Sequence, residues 1–182
     1  MLDRAGVNAG QKILITGASG GVGLAAVQLA TVLGAHVTGI CSPAKADVVR
    51  EAGAKGVLAR DDVPPFEVFD AVIDLVAGPA WATLIDALKP GGHYAVAGAI
   101  AGPMIKADLR RIYLRDITIH GCTYQSPQVF AALVEKLQDG QVKPLISKTY
   151  PLKDIRKAQE DFMSKRYPGK LVLIPGKAGD GA

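Results

Sequence analysis

Four glycines fall between Gly17 and Gly23, interrupted only by Ala18, Ser19 and Val22. Residues of this kind do chemistry through the backbone. Without Cβ atoms the chain can turn tightly and bring its N–H groups against an anion. Ala18-Ser19-Gly20-Gly21-Val22-Gly23 is the G-x-G-x-x-G dinucleotide fingerprint with alanine in the first glycine position. In that pattern Gly20 admits backbone close to a pyrophosphate and Gly23 lets helix pack on strand. Free amides at the helix start are then expected to hold the anion. Without a flanking strand and helix, the same residues would be a tight turn with no ligand. Here both flanks are present: Lys12 to Thr16 are β-rich, and Val22, Ala25, Ala26, Leu29 and Leu33 repeat at helical spacing before Gly34.

The elements that must position this loop alternate along the chain. Strands are expected at His36–Ile40, Gly56–Ala59, Asp70–Val76, Gly92–Ala97 and Ile117–Cys122, and helices at Pro43–Ala52, Pro79–Leu88 and Pro127–Gln138. A short helical connection is expected over Ala107–Leu114. The helix after Ser126 has a stripe of Val129, Phe130, Leu133, Val134 and Leu137, with Gly140 just past its end. This order predicts an α/β fold, a Rossmann-type doubly wound parallel sheet of six strands with helices on both faces. A β-α-β extension follows (Ser147–Leu152, Asp154–Lys165, Lys170–Ile174), and then a weakly apolar end from Gly176 to Ala182. The division expected is residues 1–143 for the dinucleotide domain and 144–182 for the extension.

An acid at the end of the second strand would take the ribose hydroxyls of NAD. This chain has Ile40-Cys41-Ser42-Pro43-Ala44-Lys45 there, with no acid. A hydroxyl and an ammonium suit a 2′-phosphate, so Ser42 and Lys45 point to NADP(H). Arg60, just past the third strand, could close over the adenine side. The missing acid also argues against S-adenosylmethionine. A P-loop needs Gly-Lys-Ser/Thr where Val22-Gly23-Leu24 stands. Short-chain dehydrogenase chemistry needs a tyrosine four residues before a lysine, and no tyrosine here has one. Gly17-Ala18-Ser19-Gly20-Gly21 has the spacing of a nucleophile elbow, but no acid and histidine can be assigned to Ser19.

Composition narrows the rest. The chain has 182 residues, 49% hydrophobic and 21% charged, with net charge +4. That is one compact domain with a core of ordinary size. Its cations are scattered and often beside acids, as in Arg50-Glu51 and Lys153-Asp154, which reads as solvated surface and not a nucleic-acid face. No apolar run reaches the roughly 18 residues of a membrane helix. Cys41 and Cys122 are the only cysteines, and no basic leader precedes an apolar stretch, so a cytoplasmic protein is expected. His36, His93 and His120 lie far apart with no zinc spacing, so no metal ligand is assigned.

The chain resembles the cofactor-binding half of the medium-chain dehydrogenase/reductase superfamily, above all its quinone oxidoreductase-like and zinc-type alcohol dehydrogenase-like branch. The residues that carry this are Gly10 to Gly23, Ala52-Gly53-Ala54-Lys55, Asp70 to Asp74, Leu88 to Gly92, Tyr113 to Gly121 and Gly169 to Pro175. The resemblance implies that Ser19, Gly20, Gly21, Val22 and Gly23 hold the pyrophosphate, that Val76 and Ala77, with Ala97, Gly98 and Ala99, line the nicotinamide side, and that Arg60 stands where a tyrosine often lines the adenine. It also implies a GroES-like catalytic domain, absent here, that supplies the substrate pocket and in the family pairs with the tail strands. No catalytic residue is assigned to this chain. The expected function is the NADP(H)-binding part of an oxidoreductase acting on a quinone, enone or carbonyl. The alternative is a stand-alone dinucleotide-binding or interaction module. The strand at residues 116–122 should lie at a sheet edge, and family members often dimerise by joining these strands, so a homodimer is expected.

Overall fold

The computed structural model describes residues 1–176; residues 177–182, most of the weakly apolar end, lie outside the described part. Six strands form one parallel sheet: β1 (Lys12–Ile15), β2 (His36–Ile40), β3 (Gly56–Leu58), β4 (Phe69–Asp74), β5 (Leu88–Val96) and β6 (Thr118–Gly121). Their order is β3-β2-β1-β4-β5-β6, and every neighbouring pair is parallel. The expected fold is thus the observed one. The central strands are apolar on both sides because both sides are covered. Ile13, Ile15, Val37, Ala71, Ile73 and Ala95 pack with α1 (Gly21–Val32) and with Val49 of α2 (Ala46–Glu51). Leu14, Val72 and Tyr94 face the other way, toward α3 (Trp81–Asp86). Among the described residues no helix is long and apolar enough to cross a membrane.

Several boundaries and faces differ from the sequence expectation. α1 buries Gly23, Leu24, Ala26, Val27 and Ala30, while Val22 is 54% exposed and Leu33 38% exposed. The buried face is turned by one residue, about 100°. Gly23 sets that rotation, because any Cβ there would run into the Gly17 carbonyl and the Ala18 backbone. Pro43–Lys45 form a 3₁₀ turn ahead of α2, and Gly78–Ala80 another ahead of α3. β5 starts at Leu88, before the Pro90-Gly91-Gly92 run, because an irregularity opposite Phe69–Ala71 lets the strand pair on both sides of it. The short α4 (Arg110–Tyr113) leads into β6. Helix α5 (Pro127–Gln138) is capped by the Ser126 side chain, yet it fully buries none of its residues: Val129, Phe130 and Leu137 of its apolar stripe are exposed, and Leu133 and Val134 half-buried.

The tail does not wait for an outside partner. β7 (Ile146–Pro151) and β8 (Lys170–Ile174) pair parallel with each other, joined by α6 (Ile155–Met163). Asp161 ties this unit together, accepting from the Tyr150 hydroxyl at 2.6 Å and from Lys148 Nζ at 3.0 Å. Gln28 on α1 holds the approach to it, donating to the Lys143 carbonyl at 3.0 Å and accepting from Lys143 N at 2.7 Å.

Candidate dinucleotide site

The glycine-rich turn leaves β1 at the point where the sheet order reverses, between β1 and β4. Crevices at such points, outside the carboxyl ends of the strands, receive ligands in open α/β sheets. The turn is fixed from both neighbours: Thr16 N donates to the Ile73 carbonyl at 3.0 Å, and Ala18 N to the Ile40 carbonyl at 3.1 Å. Ala18 occupies the fingerprint's first glycine position. It fits because residue 39, directly beside it on β2, is glycine: a Cβ at Gly39 would come within 2.8 Å of the Ala18 Cβ.

Gly20 is the N-cap of α1, and the first intrahelical bond runs from Leu24 N to the Gly20 carbonyl at 2.8 Å. The amides of Gly21, Val22 and Gly23 therefore have no carbonyl to bind within the helix. The first turn carries no acidic side chain and the cap makes no side-chain bond, so nothing of the helix's own neutralises its positive end. Ser19 is buried, and its carbonyl accepts from Gly169 N at 3.0 Å. That contact lays the start of β8 beside the turn. A Cβ on Gly21 would lie 2.8 Å from Lys170 Cγ and 3.0 Å from Lys170 Nζ, so an ammonium stands over the helix start. Sequence reading quoted Lys170 only as part of a family ending and gave it no role at the site.

At the carboxyl end of β2 the expected cations come together. Ser42 begins the 3₁₀ turn without using its side chain as a cap. Lys45 Nζ donates to the Lys165 carbonyl at 2.5 Å and lies 3.4 Å from the Tyr167 carbonyl. Its ammonium is thus tied to the tail, and not simply free in the crevice as the sequence implied. Burial, then the neighbouring Arg60, and further off Lys165, push the Lys45 pKa below its ordinary value. Burial raises the Cys41 thiol, while Arg60, Arg50 and Lys45 act against that rise. Residues 41, 45, 60 and 165 therefore share one electropositive neighbourhood.

The other half of the crevice is built by the loops after β4 and β5. Ala97 N donates to the Asp74 carbonyl at 3.0 Å, and Ala101 N to the Val76 carbonyl at 3.0 Å. At Gly98 a Cβ would come within 2.5 Å of the Leu75 carbonyl oxygen. Val76, Ala77, Ala97, Gly98 and Ala99 are in this way brought to one place. Beneath them is a group that sequence reading missed. Asp74 is fully buried, and its Oδ1 accepts from Thr16 Oγ1 at 2.5 Å, Val76 N at 2.9 Å and Ala77 N at 3.0 Å. The Tyr94 hydroxyl donates to its Oδ2. The signal available was an acid closing the apolar run Ala71-Val72-Ile73.

The histidines behave differently from their sequence separation. His93 and His120 stack, with ring centroids 5.2 Å apart and Nδ1 3.0 Å from Nε2. Among the described residues no group of three or more metal-ligating side chains forms.

A family model described as zinc-binding dehydrogenase matches residues 21–139. The chain belongs to that family. The chain is 30% identical to an acryloyl-coenzyme A reductase of Metallosphaera sedula, over 94% of its own length and 53% of the relative's. It is 30% identical to a quinone oxidoreductase of Sus scrofa, over 96% of its length and 57% of the relative's. The crystal structure of a putative alcohol dehydrogenase from Sinorhizobium meliloti superposes with a TM-score of 0.91 at 40% identity, covering 97% of this chain and 51% of that one. An acetophenone reductase from Geotrichum candidum, solved in complex with NAD, gives 0.83 at 28% identity, covering 94% and 50%. The chain therefore spans about half the length of these relatives. Its membership bears out the medium-chain dehydrogenase/reductase resemblance.

Proposed function

We propose that this chain is the NADP(H)-binding half of an oxidoreductase that transfers hydride to a quinone, enone or carbonyl. One observation carries the reading. The unpaired amides that open α1 lie under Lys170, and the cations at the end of β2 stand where an NAD-binding acid would be. In this reading Gly21, Val22 and Gly23 donate their amides to the pyrophosphate, with Ser19 and Gly20 shaping the turn and Lys170 beside it. The cradle fits such a group because a side chain at residue 21 would fill it. Ser42 and Lys45 receive the 2′-phosphate and Arg60 closes over the adenine. An ammonium has three donors, so Lys45 can keep its tail carbonyls and still meet a phosphate. Val76, Ala77, Ala97, Gly98 and Ala99 face the nicotinamide, which supplies or accepts hydride when bound. The substrate pocket belongs to a further domain, on which the extension of residues 144–182 packs. The protein works in the cytoplasm as a homodimer joined through residues 116–122.

Titration with NADPH and NADH, followed by nicotinamide fluorescence, tests this. NADPH should bind more tightly, and equal affinities would end the NADP assignment. The docking of β8 on the glycine turn also suits the second reading, a module that binds dinucleotide without turnover, because cofactor residues from the tail and the domain meet within this one chain. A GroES-like segment in the same reading frame decides for the enzyme.

A further inference from the structure

The buried Asp74 carboxylate has no task in the reading above, and its surroundings are unusual. Three successive amides after β4 are folded back toward it: Val76 N and Ala77 N reach Oδ1 directly, while Leu75 N donates to Thr16 Oγ1 at 2.9 Å. Thr16 in turn donates to Oδ1 at 2.5 Å, and Tyr94 donates to Oδ2. Thr16, Asp74 and Tyr94 sit on β1's end, β4 and β5, so the carboxylate clamps three central strands where the crevice opens. Among the described residues no lysine, arginine or histidine pairs with it. A buried anion without a cation must be held by its hydrogen bonds. Burial and the facing carboxylate push the Tyr94 phenol well above its ordinary range, so its proton stays available to donate.

The backbone so held is one an alanine avoids. Ala77 has φ 56°, and Gly78 follows at φ 76°. Left-handed alanine persists only where its surroundings over-determine it. The surroundings here are the carboxylate on one side and the loop after β5 on the other, through Ala101 N to the Val76 carbonyl at 3.0 Å.

We propose that Asp74, oriented by Tyr94 and Thr16, is the positioning residue of the nicotinamide half of the site. It fixes the turn at Val76 and Ala77, against which the ring is set. This rests on the dinucleotide reading given above. The carboxylate touches no cofactor atom and acts through the turn. The adenosine half lies across the crevice at the end of β2, a strand that carries none of the three clamped side chains, and should not sense it.

The test compares NADPH with 2′,5′-ADP, which carries the adenosine half alone, on the full chain and its Tyr94→Phe and Asp74→Asn variants. Tyr94→Phe keeps the ring and removes one donor. Asp74→Asn replaces an acceptor with an amide nitrogen. Both variants should hold 2′,5′-ADP within about twofold of the parent and weaken NADPH about tenfold. The emission change of bound reduced nicotinamide should fall in parallel. Amide exchange at Val76 and Ala77 should quicken while Leu24 stays as in the parent. Should Asp74→Asn not fold, Tyr94→Phe decides. Equal weakening of both ligands, or unchanged NADPH affinity, overturns the proposal. A parent that binds neither ligand overturns the dinucleotide reading and the nicotinamide assignment with it, and the exchange rates then still report whether Asp74 holds the turn.

Discussion

At Gly21 the question is what a side chain would displace. The residue is the first of α1 and is not in the left-handed region, so its glycine is required by space and not by φ. Gly21→Val would push its branches into Lys170, whose flexible chain can move, and over the amides that open the helix. The variant should fold and lose NADPH binding; a variant that bound NADPH as tightly as the parent would remove the cradle from this loop. Lys45 calls for a different measurement, because its ammonium already serves two tail carbonyls. A charge-assisted hydrogen bond contributes roughly 1.5 to 3 kcal/mol, so Lys45→Ala should weaken NADPH about 10- to 150-fold. Loss of the tail contact would affect NADH as much as NADPH, so the selective part of the change belongs to the 2′-phosphate. Isothermal titration of both cofactors separates the two. What sequence made legible here is the turn itself, Gly20 to Gly23, whose residue type fixes the backbone at the start of α1. Lys170, Gly39 and Asp74 were not legible, because each acts through a neighbour that only the fold supplies.

Elements were legible where period and punctuation agreed. Apart from the early start of β5, the strands of the sheet and helix α5 lie close to their expected spans, because apolar runs bounded by glycine and proline leave little choice. Faces were less so. α1 is rotated because one backbone contact at Gly23 outweighs the side-chain stripe, and α5 leaves exposed Val129, Phe130 and Leu137 of a stripe that periodicity alone would bury. Strand adjacency also brings together what sequence separates, as in His93 on β5 and His120 on β6. Burial first, then His93, and then Arg4 lower the His120 pKa. A group whose folded pKa is depressed binds fewer protons folded than unfolded, so its stabilisation is present above the unfolded value near 6.5 and is lost as pH falls below it. Melting temperature should therefore decline between pH 7 and pH 5. Asp70 and Asp161, whose pKa values are also lowered, act only in the more acid range. His120→Asn should flatten the decline, and an unchanged pH slope in that variant would assign it to other groups.

At the scale of the molecule, a parallel sheet covered by its own helices still has two edges. Among the described residues β6 pairs only with β5. Ile119 is 44% exposed, and the strand carries neither proline nor lysine to blunt further pairing. Among the described residues the strands of the extension do not pair with this edge, because β7 and β8 form a sheet of their own. Cys122 N donates to the Val96 carbonyl at 2.9 Å, so by alternation His120 turns its amide toward β5 while Ile119 turns its amide outward. Arg4 reaches the Gly121 carbonyl on the same outer side, at 3.4 Å. A second copy pairing antiparallel through Ile119 would extend the sheet across a twofold axis, where each strand meets its own sequence. Ile119→Pro removes an outward donor and leaves the β5–β6 ladder intact, and proline is tolerated on an edge strand. Light scattering on a sizing column should give a dimer for the parent and a monomer for Ile119→Pro, with circular dichroism unchanged. A parent that remains monomeric at high micromolar concentration would exclude this edge as the joint.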